Sequence, residues 1–133
     1  MKIVFKHSFF LIFILGMVSM MSCCDSNQDN TLTIEVISPK ENIVVSNAKM
    51  VEIHIKMEAT EQIHKTQILL TSKEKPNEIL LEFMKFVHSN TFEYQEFVDL
   101  SSFSVGTEFQ LSVTGCKNHE CSEMEEKRIF FKN

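Results

Sequence analysis

From Leu32 onward the chain alternates apolar and polar residues with a period of two, the signature of strands with one buried face. Leu32, Ile34 and Val36 alternate with Thr33 and Glu35 until Ser38-Pro39 ends the run, because proline cannot donate to a ladder. Met50 to Ala59 repeats the rhythm, with Val51, Ile53, Ile55, Met57 and Ala59 inward and Glu52, His54, Lys56 and Glu58 outward. Gln67 to Ser72 follows, then a turn at Lys73 to Asn77 that contains Pro76. Ile79 to Val87 fits two templates: Ile79, Leu80, Phe83 and Val87 share a helical face, whereas Leu81 and Phe83 share a strand face. A lone helix would interrupt an all-β meander, so this segment too is predicted as strand. Thr91 to Val98 is next. Thr107 to Thr114 then sets Phe109, Leu111 and Val113 against Glu108, Gln110 and Ser112, and Glu123 to Phe131 closes a last hairpin. The expectation is an all-β, seven-stranded antiparallel sandwich of the immunoglobulin-like or fibronectin-type-III-like class.

The first 22 residues stand apart from this pattern. Lys2 and Lys6 precede an apolar run, Phe9 to Val18, that ends in small and flexible residues before Cys23. That is the layout of a secretory signal, and the run is shorter than the ~20 apolar residues of a bilayer-spanning helix. Met20-Met21-Ser22-Cys23 resembles the lipobox of bacterial lipoproteins, which implies acylation of Cys23 and anchoring to a membrane by more than one acyl chain. The predicted organisation is a signal peptide over 1–22, an acylated cysteine and polar tether over 23–31, and one β-domain over 32–133.

Removing that signal leaves 11 basic and 18 acidic residues, a net charge of −7. So acidic a domain argues against nucleic acid and against anionic lipid headgroups as partners. Phe83, Phe86, Phe92, Phe97, Phe103, Phe109, Phe130 and Phe131 supply the aromatic part of the expected core. Cys116 and Cys121 bracket the last hairpin loop in an exported chain, and a disulfide across its mouth is the first reading. A C-x4-C metal pair is the alternative.

Catalytic signatures are missing from the sequence: there is no G-x-S-x-G, P-loop, G-x-G-x-x-G or H-E-x-x-H. With Asp only at positions 25, 29 and 99, there is no D-x-D calcium loop. Histidine is more informative. If seven strands alternate in direction, three of their connections share one pole, and His64, His88 and His119 fall one in each. Three imidazoles could ligate zinc or copper there, with Glu120 or a thiolate as fourth ligand, provided their ring nitrogens lie within about 4 Å of one another. The competing reading is that they are ordinary polar residues of solvated loops. His54 belongs to a strand's solvated face and is expected to take no part.

The run I-S-P-K-E-N at Ile37 to Asn42, the D-L-S-S-F-S-V-G-T-E-F-Q-L-S-V-T stretch and the Asn118-His119 loop resemble the immunoglobulin-like domains of small Bacteroidetes-type lipoproteins. The resemblance implies the fold and a place in the bacterial cell envelope, lipid-anchored at the outer membrane or cell surface; it implies no reaction. The expected function is a non-enzymatic binding module held at the membrane through Cys23, with a protein or glycan partner and no cofactor. The alternative is a protein that binds zinc or copper through its loop histidines. A sugar-binding accessory role lacks the aromatic faces it needs, since the chain has no Trp and one Tyr.

Overall fold

The computed structural model describes residues 29–45 and 49–133. Cys23, the stretch 1–22 and most of the expected tether lie outside the described residues. The described chain is all-β: β1 (Leu32–Ser38), β2 (Met50–Ser72), β3 (Ile79–Asp99), β4 (Glu108–Cys116) and β5 (Met124–Lys132). All strand pairings are antiparallel, with β3 along one edge of β2 and β1 and β4 sharing the other. β5 pairs with β4 beyond them. Ile79 to Val87 is strand, as expected, and forms the first part of β3.

Among the described residues five strands stand where seven were expected, because the two longest strands each absorb a predicted loop. β2 runs through 60–66 and β3 through 88–90 without leaving the ladder. The sequence pattern breaks there for a geometric reason. Along β2 the buried positions are odd from Val51 to Met57 and even from Thr66 to Ser72. A strand can switch parity without stopping only if unpaired residues are inserted, and the β2–β3 register shifts on both sides of Ile63. Broken alternation therefore marks a bulged corner in a continuous strand.

The corner gives the β2–β3 hairpin two halves. β1 extends the half that holds Met50 to Glu58, and β4 and β5 extend the half that holds Lys65 to Ser72. Both halves turn their apolar side chains into one cluster, in which Ile53, Ile55, Ile63, Ile68, Leu70, Phe109, Leu111 and Val113 are fully buried. Each such side chain contributes about 1.5–3 kcal/mol relative to exposure. The halves touch closely: a Cβ on Gly115 of β4 would stand 2.5 Å from Leu32 Cδ2 of β1, and Lys127 Nζ of β5 donates to Ile34 O at 3.4 Å.

The phenylalanines divide. Phe109 and Phe131 are core, and Phe83, Phe92 and Phe103 pack against its margin. Phe86 and Phe97 were expected inside but are 63% and 58% exposed. Both sit on β3, on the side turned away from the core cluster, and β3 contacts no described strand other than β2. The outer rim of β5 is better covered: Asn42 N donates to Phe130 O and Val45 N to Lys132 O, each at 2.8 Å, laying 42–45 along its end.

Candidate metal centre

The bulged corners of β2 and β3 face each other. Ile63 pairs with Ser89 and Lys65 with Phe86, so His64 is the single residue that opposes Val87 and His88. His88 takes φ 52°, a left-handed conformation that costs most side chains but that His adopts more readily than β-branched residues. On the other side of β2, Lys65 pairs with Cys116, the last residue of β4, and the loop carrying His119 starts there. Strand pairing thus brings three distant histidines to one spot.

Their rings form a triangle. Centroids lie 4.2 Å apart for His64 and His119, 5.4 Å for His88 and His119, and 5.7 Å for His64 and His88. One ligating nitrogen from each lies within 4.8 Å of the other two. Ligands on a tetrahedral zinc stand roughly 3.4 Å apart at zinc–nitrogen distances of ~2.0–2.1 Å, so the rings must draw together by about an ångström. His88 and His119 are exposed and His64 half-buried. His64 Nδ1 is nevertheless enclosed and has no hydrogen-bond partner among the described residues. Burial first, then repulsion from His119 and His88, holds the His64 imidazole below its ordinary pKa and so in the neutral form that binds metals.

The His119 loop is held at both ends. Cys116 and Cys121 form a disulfide with Cα atoms 4.9 Å apart, which settles that pair in favour of the first reading. Inside the loop Asn118 Nδ2 donates to Ser122 Oγ at 2.8 Å, while Ser122 N donates to Asn118 Oδ1 at 3.1 Å. Lys117 N donates to Glu123 O at 2.8 Å, and the Lys117 ammonium meets Glu125 at 2.8 Å. Neither fourth ligand suggested by the sequence joins the group: the thiols are consumed in the disulfide, and Glu120 does not reach the three nitrogens. His54 is separate, on the outer face of β2, with Nε2 2.7 Å from Glu93 Oε1.

Three supporting residues escaped the sequence reading. Asn30, assigned to a polar tether, is docked: its Nδ2 donates to Gln62 O at 2.9 Å and to Lys117 O at 3.3 Å, and its Oδ1 accepts from Glu61 N at 3.1 Å. It therefore ties the β2 corner to the His119 loop. Phe86 lies parallel to His88, at 10° and 6.4 Å between ring centres, and Lys65 Nζ stands 5.9 Å from the Phe86 centroid. No local pattern singles out Asn30. The sequence pattern put Phe86 in the core and His88 in a connection, and neither their shared position on β3 nor their setting beside His64 was legible.

A comparison with protein-family models finds no match for this chain, and a comparison with characterised proteins finds none either. The site must therefore be read from its own geometry: an all-β antiparallel protein carrying a surface cluster of three imidazoles.

Proposed function

We propose that this chain is an exported, non-enzymatic binding module whose ligand is a divalent transition metal ion, zinc or copper(II), held by His64, His88 and His119. One observation carries the reading. Three nitrogens from three separate elements lie within 4.8 Å of one another, with His64, the half-buried member, among them. Chance placement of polar loop residues gives no reason for three imidazoles from distant positions to converge, whereas a metal ion would hold them together. An all-histidine set suits zinc and copper better than the hard cations magnesium and calcium, which favour oxygen.

The setting proposed for this module is the bacterial envelope, with Cys23 acylated after removal of 1–22 and the β-domain displayed at the outer membrane or cell surface. The resemblance to Bacteroidetes-type lipoproteins, and the immunoglobulin-like class it implies, belong to this proposal. The antiparallel strands and their single core support it. Growth with a clickable fatty acid should label the wild-type protein and leave Cys23→Ala unlabelled; label retained in the variant would remove the anchor.

Calorimetry on the soluble domain tests the metal. We expect one Zn²⁺ or Cu²⁺ per chain, with binding strongly weakened in His64→Ala, His88→Ala or His119→Ala and intact in His54→Ala. Protons compete for the same imidazoles, so affinity should fall on acidification. Absence of metal-dependent heat in the wild type would overturn the reading.

A further inference from the structure

We propose that the metal takes its fourth ligand from outside the chain, and that this ligand is a carboxylate whose apolar flank lies on Phe86. The inference rests on the metal reading above. Zinc completes a tetrahedron with four donors, and among the described residues the cluster offers three. The sulfur atoms nearest in sequence to His119 are locked in the Cys116–Cys121 bond. Because His88 and His119 are exposed, the remaining coordination position opens to solvent.

The chemistry of that position favours an anion. Three neutral imidazoles leave the ion's full double positive charge uncompensated, and both zinc and copper(II) accept carboxylate oxygen. Lys65, next in sequence to His64, adds a second cation at the same rim. The rim also has an apolar side. Phe86 exposes 63% of its surface while its ring lies parallel to His88, so a ligand seated on the metal has an aromatic face beside it to cover. A cation, an open metal position and an unburied ring fit a carboxylate attached to an apolar group, such as an aromatic acid or the C-terminus of an apolar peptide. Acetate alone fits less well, and an uncharged alcohol poorly.

Cobalt(II), a spectroscopic stand-in for zinc, makes the test direct. The full mature chain is loaded with Co²⁺, and benzoate, acetate and benzyl alcohol are titrated while the visible absorption is followed. Benzoate should shift the cobalt bands saturably and more tightly than acetate, and benzyl alcohol should leave them unchanged. Phe86→Ala should retain cobalt and lose about fivefold in benzoate affinity, bringing it towards acetate. Lys65→Met should weaken both acids about threefold. A C-terminal apolar dipeptide that matches benzoate would identify a peptide end as a source; one that does not would leave small aromatic acids. A cobalt spectrum that benzoate does not move overturns this inference alone, and equal benzoate affinity in wild type and Phe86→Ala overturns the apolar flank. If Co²⁺ gives no tetrahedral spectrum in the wild type, the metal reading falls and this inference with it.

Discussion

His88 sits in the left-handed region at φ 52°, where a Cβ is unfavourable, and its ring faces two other imidazoles. A residue chosen for backbone comfort alone would be glycine. His88→Gly should therefore stabilise the fold by up to about 1 kcal/mol, the left-handed penalty less glycine's extra unfolded-state entropy, while abolishing metal binding. Paired thermal melts and calorimetry check this; a variant clearly less stable than wild type would show that the His88 ring contributes packing. Gly115 presents the opposite case. Its backbone needs no special conformation, but a Cβ there would meet Leu32 Cδ2 at 2.5 Å and Met57 Sδ at 3.5 Å. Gly115→Ala should cost about 1–3 kcal/mol by forcing the buried Leu32 side chain aside, read as a lowered midpoint in urea.

Among the elements, the β4–β5 loop and the β2 corner hold the cluster together by different means. The disulfide closes a short loop, and reducing it should remove roughly 2 kcal/mol of stability by the loop-entropy relation. Mass spectrometry after alkylation without reductant should find Cys116 and Cys121 unmodified, and melts with and without a phosphine should differ accordingly. Asn30 acts through hydrogen bonds to Gln62, Glu61 and Lys117. Asn30→Ala should weaken Zn²⁺ binding with little change in the core, because it frees the corner from the loop. A positioning role predicts that Asn30→Asp, which keeps the acceptor for Glu61 N but loses both donors, falls between wild type and Ala. Equal affinity in all three proteins would remove Asn30 from the site.

Over the whole molecule the charges are acidic and their pairing lies on the surface. Glu93 is held below its ordinary pKa chiefly by the hydrogen bond to His54, Asp99 by the Ser101 backbone N–H at 2.8 Å, and Glu108 by Lys73. Each depressed carboxylate contributes stability that is present above its unfolded pKa and lost as pH falls through its lower folded value. Stability should therefore decline between about pH 5 and pH 3. The slope should be shallow, since Glu93 and Asp99 are solvent-exposed, Glu108 is only half-buried, and water and salt screen all three. Chemical denaturation across that range checks the sign, and stability that rises on acidification would contradict it. Two-residue alternation was enough to determine an all-β chain and the inward residues from Val51 to Met57 and from Phe109 to Val113, because each is set by local periodicity and turn chemistry, whereas the strand state of Ile79 to Val87 followed from its β neighbours, its own periodicity fitting a helix as well. Cysteine spacing likewise anticipated the Cys116–Cys121 bond. Strand number was not legible, since a bulge and a loop break the alternation alike and only pairing with β3 distinguishes them. The fate of Phe86 and Phe97 was not legible either, because one strand's pattern cannot say whether a second layer covers its outer face. Local sequence could place His64, His88 and His119 only at three connections; their meeting depends on the register of β2 with β3 and β4, a long-range property of the folded chain.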